Sequence, residues 1–272
     1  MSDFLKTMAR QSADRASAAQ GSVRSTHLDL PLVPLQLGAF DVIAEIKNRS
    51  PSEGALAAAS ASRSEQAVRY VDGGAAAISV LTEPTQFAGE LAHLEEVVRA
   101  VEHSAVPVMR KDFLVDPIQV LEARATGASG VLLIVTMLSE KQIEDMLNCA
   151  YEHGMFVLLE SFDAEDLQRS SALLDETRYR EQAERGKLLF GVNTRDLRTL
   201  HVDPERLKTL GPHLPQGCAC VAESGLHHGY DAAAAAGWGY SLALVGTALM
   251  RSPDPGQLIQ EMLTAGRKRR AA

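Results

Sequence analysis

The sequence predicts a (β/α)8 barrel of the TIM type with an N-terminal helical and extended arm. Three observations predict it. From Asp41 onward, eight short and nearly continuous apolar runs recur. Amphipathic stretches separate them, in repeats of roughly 25–35 residues, the length of a βα unit. Polar residues gather at the C-terminal ends of the runs, where a barrel places its active site. Runs apolar on both faces fit parallel strands covered by helices. A chain of 272 residues accommodates one barrel of about 250. The rival, an open doubly wound sheet, needs a G-x-G-x-x-G turn after its first strand, and none is present.

Residues 1–40 read as an arm packed on the barrel. A polar helix over 3–19 keeps Phe4, Leu5 and Met8 on one face. A Gly/Ser patch follows, then a segment whose Pro31 and Pro34 suit an extended connector. The barrel is expected over 41–266, with strands at 42–47, 75–81, 106–111, 130–135, 155–160, 188–193, 219–224 and 242–246. Helices are expected at 63–71, 91–101, 117–125, 140–153, 164–174, 228–236 and 255–265. Gly73, Gly127, Gly154 and Gly237 stand near their ends as C-terminal stops. The charged segment 175–187 reads as a solvated helical extension on the bottom face. Residues 267–272 read as a basic C-terminal tail, with Arg267-Lys268-Arg269-Arg270 as a frayed, solvated end.

Composition narrows the function. A net charge of -8 argues against a general nucleic-acid binder, although a locally basic site still admits an anionic substrate. Aromatics make up 5%, so Ala, Val, Leu and Ile must fill the core. Cys149, Cys218 and Cys220 cannot form a disulfide framework, and Cys218-Ala219-Cys220 lacks partners at zinc-site spacing. They read as small buried hydrophobes in a reducing compartment. No run of about 18 apolar residues and no apolar signal core are seen, so the expected compartment is the cytoplasm. No membrane partner is expected.

The chemistry lies at the strand ends. Glu45 and Lys47 share one side of the first strand, because strand side chains alternate. The third ends in Arg110-Lys111-Asp112 and the fifth in Glu160. The sixth ends in Asn193-Thr194-Arg195-Asp196, the seventh in Glu223-Ser224-Gly225 and the eighth in Gly246-Thr247. In a barrel these converge on one mouth. Lysines crowded by cations and partly desolvated can exchange protons near neutral pH, which suits Lys111 beside Arg110, and Lys47 across the mouth. Glu160 is the best base, with an apolar strand behind it that should raise its pKa. Glu45 and Glu223 can anchor a lysine or hold substrate hydroxyls. Asn193 offers an amide, and Arg195 a fork for a carboxylate. Gly225, Gly246 and the first turn at Thr247 offer backbone donors to a phosphate, with Ser50 and Lys47 as further donors. No H-E-x-x-H or Walker motif is present, so neither a metal nor a cofactor is implied.

At these residues the sequence resembles indole-3-glycerol phosphate synthase of the tryptophan pathway. The matching pieces are Ile43-Ala44-Glu45-Ile46-Lys47 with Ser50-Pro51-Ser52-Glu53-Gly54, the run from Gly74 to Thr82, and Pro107 to Phe113. They continue with Gly191-Val192-Asn193-Thr194-Arg195-Asp196-Leu197, Ala222-Glu223-Ser224-Gly225 and Leu244-Val245-Gly246, in family order over about Asp41 to Leu258. The resemblance implies ring closure of 1-(2-carboxyphenylamino)-1-deoxyribulose 5-phosphate with loss of carbon dioxide and water. It implies Lys111 as general acid, Glu160 as base in dehydration, and Lys47 as partner of the substrate carboxylate. Glu45, Asn193, Glu223 and Ser224 would orient these groups and the ribulose hydroxyls. Ser50, Gly225, Gly246 and Thr247 would hold phosphate, and Phe113 and Phe87 would flank the anthranilate ring.

The sequence departs from the family in places. Ser161-Phe162 replaces Val-His after the strand-five glutamate, and Thr194 replaces the second Asn on strand six. Glu53 replaces a common lysine, and the segment 175–187 lengthens the connection before strand six. Two other readings stand beside the lyase: another metal-free phosphosugar enzyme such as an isomerase, and a divergent or silent phosphosugar-binding barrel. The isomerase leaves Arg195 and the second lysine without a task. The silent barrel predicts loss of Lys111, Glu160 or Lys47, and all three are present. Oligomeric state and association with other pathway enzymes are not readable.

Overall fold

Eight parallel strands close into a barrel in the computed structural model, which describes residues 2–21, 23, 28–50, 54–55, 62–199 and 201–271. The strands are β1 (Asp41–Ile46), β2 (Ala77–Leu81), β3 (Val108–Lys111), β4 (Gly130–Ile134), β5 (Phe156–Ser161), β6 (Leu188–Asn193), β7 (Cys220–Glu223) and β8 (Leu242–Val245). Neighbours in sequence pair in order, and β8 closes on β1 from Asp41↔Leu242 to Ala44↔Val245. Nearly every strand residue is buried on both faces, as expected of a parallel sheet covered by helices.

All eight expected strands form, with shifted ends. The second starts at Ala77 rather than 75, because the Ala75 amide closes the preceding helix on the Tyr70 carbonyl. The third starts at Val108 rather than 106, because Pro107 has no N–H to give the ladder. One feature of the first loop was not foreseen: Arg49–Ser50 and Gly54–Ala55 pair as a short antiparallel ladder.

The helices are α1 (Asp3–Ala19), α2 (Arg63–Asp72), α3 (Leu91–Ala100), α4 (Pro117–Ala125), α5 (Glu140–Glu152), α6 (Ala164–Ala172), α7 (Thr177–Glu184), α8 (Arg206–Leu210), α9 (Gly229–Gly237), α10 (Thr247–Arg251) and α11 (Pro255–Arg270). Capping boxes start α2 with Ser62 and Glu65, α4 with Asp116 and Gln119, and α5 with Ser139 and Gln142. Gly127 and Gly154 take left-handed backbone after α4 and α5, as expected. Gly74 and Gly239 do so after α2 and α9, in place of the expected Gly73 and Gly237. Among the described residues no helix is long and apolar enough to cross a membrane.

Helix α1 buries Leu5, Met8, Ser12, Ala16 and Ala19. It meets α4 where Gln119 Nε2 donates to Ser12 Oγ at 2.9 Å. The connector is tied at Val33, whose amide donates to Ser129 Oγ at 3.1 Å. Two charged segments differ from expectation. Residues 173–175 form a 3-10 turn leading into α7, and Tyr179 and Ala183 of α7 are buried, so this insert packs one face on the protein. The basic run Arg267–Arg270 is the last turn of α11 and not a frayed end. Cations suit a helix C-terminus, and Arg267 donates to the Phe40 carbonyl at 3.0 Å and to Asp41 at 2.9 Å.

Candidate active site

Lys111 sits at the centre of a buried charge cluster. Its Nζ lies 3.1 Å from Glu160 Oε2 and 3.9 Å from Glu223 Oε2. Alternation along β5, β6 and β7 points Glu160, Asn193 and Glu223 to the barrel interior, and all three are buried. On the β1 side, Lys47 Nζ pairs with Glu45 Oε1 at 2.7 Å. Burial raises the Glu45 pKa, but Lys47, Lys111 and Arg195 outweigh it and hold this carboxyl below its ordinary value.

One expectation about protons is corrected. Among the described residues, the charges that act on Lys111 are carboxylates rather than cations. Arg110 is the next residue along the strand, so it points to the opposite face, where it donates to Thr82 at 3.0 Å and pairs with Asp112 at 3.1 Å. Burial works against the charged Lys111, but Glu160, Glu223 and Glu45 prevail and raise its pKa, so it is a firmly held ammonium. Glu223 has a strongly raised pKa. Burial is the main cause, and the charge of Glu160 beside it adds to the shift against the pull of Lys111. Among the described residues, Glu160 Oε1 and both Glu223 oxygens are buried without a hydrogen-bond partner. Unpaired buried carboxylate oxygens are costly and are ready acceptors for a proton or a substrate hydroxyl.

Two missing side chains make room for this cluster. A Cβ on Gly191 would stand 2.1 Å from Glu223 Oε1. A Cβ on Gly246 would stand 2.3 Å from Glu45 Oε1 and 2.9 Å from Lys47 Nζ. Gly246, expected at the phosphate, therefore also serves the Glu45–Lys47 pair.

A cavity of about 330 Å³ opens above the cluster. Its wall includes Glu45, Lys47, Phe87, Lys111, Phe113 and Asn193. It continues through Arg195, Glu223, Ser224, Gly225, Gly246 and Thr247. Two expected residues are not in this wall. Glu160 is fully buried behind Lys111, and the side chain of Ser50 lies outside the described residues, as does Glu53.

The family model for indole-3-glycerol phosphate synthase matches residues 34–262. The chain belongs to this family. It is 44% identical to the indole-3-glycerol phosphate synthase of Parafrankia sp. (strain EAN1pec), over 86% of this chain and 82% of that one. It is 41% identical to that of Mycolicibacterium vanbaalenii, over 86% and 80%. Among solved structures, 3-hexulose-6-phosphate synthase from Salmonella typhimurium aligns at a TM-score of 0.60 with 15% identity, covering 85% of this chain and 100% of that one. That likeness shows the barrel alone.

In this indole-3-glycerol phosphate synthase family member the apolar side of the cavity went unforeseen. Leu81, Leu132, Ile134, Leu197 and Leu244 line it, with His227 at the rim. Leu132 and Ile134 are two residues apart at the end of β4, a strand that carries no charge. Period-two alternation would have found them. Phe87 and Phe113 lie 6.3 Å apart between centroids, and Phe4 of α1 meets Phe113 edge-on at 6.0 Å. After β7, Ser224 and Gly225 both take left-handed backbone, at φ 66° and 74°. For Ser224 this stores strain of order 1–3 kcal/mol. The next helix from the mouth, α10, starts at Gly246 without a side-chain cap. Of the departures from the family pattern, Phe162 is fully buried, and the hydroxyls of Ser161 and Thr194 are buried without partners among the described residues.

Proposed function

We propose that the chain acts as an indole-3-glycerol phosphate synthase. It closes the ring of 1-(2-carboxyphenylamino)-1-deoxyribulose 5-phosphate and releases carbon dioxide and water. The observation that carries this reading is Lys111 held between Glu160 and Glu223 at the floor of a cavity with one aromatic and aliphatic side.

Lys111 is the general acid. As the aryl carbon bearing the carboxylate bonds to the ribulose carbonyl carbon, the ammonium donates its proton to the carbonyl oxygen. Loss of carbon dioxide restores the aromatic ring. The new hydroxyl then leaves as water on a second proton, drawn from solvent by way of the reprotonated Lys111, while Glu160 takes the neighbouring ring C–H proton. Lys47 meets the substrate carboxylate, in exchange for part of its bond to Glu45. Glu45, Asn193, Glu223 and Ser224 orient hydroxyls and lysines, and Arg195 offers a further fork to a carboxylate. Asn193 Oδ1 already accepts the Arg195 amide at 2.9 Å, so its NH2 is the group turned to substrate. The phosphate sits on the amides at Ser224, Gly225, Gly246 and Thr247, with Ser50 beside them. Phe87 and Phe113 flank the anthranilate ring.

In the same reading, residues 1–40 are an arm serving a catalytic barrel over 41–266. The three free cysteines suit a reducing compartment, and the enzyme is cytoplasmic. Its partner is a small phosphosugar, not a nucleic acid or a membrane. The test is to mix purified protein with the carboxyphenylamino substrate and record indole fluorescence and carbon dioxide together. Equal yields of both support the lyase. Substrate consumption without carbon dioxide would favour the isomerase, and binding without consumption the silent barrel.

A further inference from the structure

After β6, residues 194–199 and 201–203 fold back over the cavity as a flap. Arg195 and Val202 pair as an antiparallel bridge. The Asp196 amide donates to the His201 carbonyl, and the Asp203 amide to the Thr194 carbonyl, each at 2.9 Å. Arg195, Leu197 and Val202 of this flap line the cavity. The flap is therefore part of the wall that meets the substrate.

Arg198 holds the flap to its neighbour. Its Nε and Nη2 grip Asp196 as a fork at 2.9 and 2.7 Å. Its Nη1 crosses to Asp163 Oδ2 at 2.5 Å, and the guanidinium lies over the Phe162 ring at 5.8 Å. Asp163 stands three residues beyond Glu160 and also caps α6 by accepting the Asp166 amide at 2.9 Å. Among the described residues, the Arg198–Asp163 bond is the hydrogen bond that joins the flap to the turn after β5. Arg206 fixes the flap's base, donating to the Asn193 carbonyl at 3.0 Å.

A half-exposed ion pair contributes little to global stability. A bidentate fork fixes direction, however, and a planar cation over an aromatic ring fixes it further. The fork is thus better suited to setting a loop's position than to holding the fold. We propose that Arg198 is a positioning residue of this site, clamping the flap to the turn that follows Glu160 and so setting where Arg195, Leu197 and Val202 close on the substrate. Phe162, which departs from the family pattern, is the platform for this clamp.

The proposal rests on the lyase reading and is tested with two readouts. The variants are Asp163→Asn, which keeps an oxygen for the α6 cap, Arg198→Gln, and both together. Amide hydrogen exchange is followed at Asp196 and Asp203, and KM and kcat are measured by indole fluorescence. Each single variant should speed exchange of those two amides, while the β6 amides stay unchanged. Each should raise KM by about tenfold with a smaller effect on kcat, and the double variant should match the singles, since coupled partners are not additive. Arg198→Lys, which keeps the charge without the fork, should recover only part of the loss. Unchanged exchange would overturn the clamp. Faster exchange with unchanged KM would overturn the positioning role. A parent without turnover would sink the lyase reading, and the exchange result would still decide the clamp.

Discussion

Gly191 matters because of the atom it lacks. Its would-be Cβ overlaps Glu223 Oε1, and the ladder puts it beside Glu160. Gly191→Ala must push Glu223 off Lys111, so kcat should fall by at least about tenfold at a stability cost of about 1–3 kcal/mol. Steady-state kinetics and a urea melt check both. Asp166 makes a second residue-scale prediction. Burial, aided by nearby Asp163, pushes its carboxyl up to about 6, against the hydrogen bond it accepts from the Phe162 amide. A carboxyl raised on folding contributes stability that is full below its unfolded value and is lost as pH climbs through the folded one. Relative to Asp166→Asn, the parent should therefore weaken between about pH 4 and 6, leaving the variant more stable at pH 7 by on the order of 2 kcal/mol. Equal stability of the two at pH 7 would contradict this. At this scale the identities at the site were legible in the sequence, because charged residues at the ends of apolar runs stand out. Their proton chemistry was not. Lys111 stands beside Arg110 along the chain, but the strand pleat sends the two to opposite faces and register brings three carboxyls to the lysine.

The elements were legible where period and capping agree. Helix α4 starts at Pro117, after a capping Asp116, and ends at Ala125 as its sequence pattern requires. Helix α11 outran its expected end because Arg267 finds Phe40 and Asp41, partners some 226 residues away that no local pattern reveals. The short ladder after β1 escaped because Ser-Pro-Ser-x-Gly reads as a plain turn. Helix α1 was legible as a helix, and its link to the site was not. Its Arg15 reaches Asp112 at 2.7 Å, between Lys111 and Phe113. Arg15→Ala should cost about 1–3 kcal/mol, since the buried carboxylate keeps Arg110, Thr82 and the Phe113 amide. It should also lower kcat/KM, because Lys111 and Phe113 flank the freed Asp112. A urea melt with parallel kinetics measures both, and unchanged values would detach α1 from the site.

For the whole molecule, closure is the step the sequence shows only indirectly. Eight βα units imply it, but the pairing of Asp41 with Leu242 is visible only in the structure. That closure brings charges of both signs to the mouth: Glu45, Asp112 and Glu223 line the cavity with Lys47, Lys111 and Arg195, while the chain as a whole carries a charge of -8. A likeness in barrel alone, such as that to 3-hexulose-6-phosphate synthase at 15% identity, carries no chemistry. In the proposed function the chemistry rests on Lys111, an ammonium held between Glu160 and Glu223. The most direct measurement of that claim is single-turnover indole fluorescence for the parent and Lys111→Ala at saturating substrate, with binding measured separately. Rapid product is expected in the parent and a rate lower by about a thousandfold or more in the variant, as for removal of a general acid and a charge partner, with substrate still bound. A variant that closes the ring at the parent's rate would contradict it.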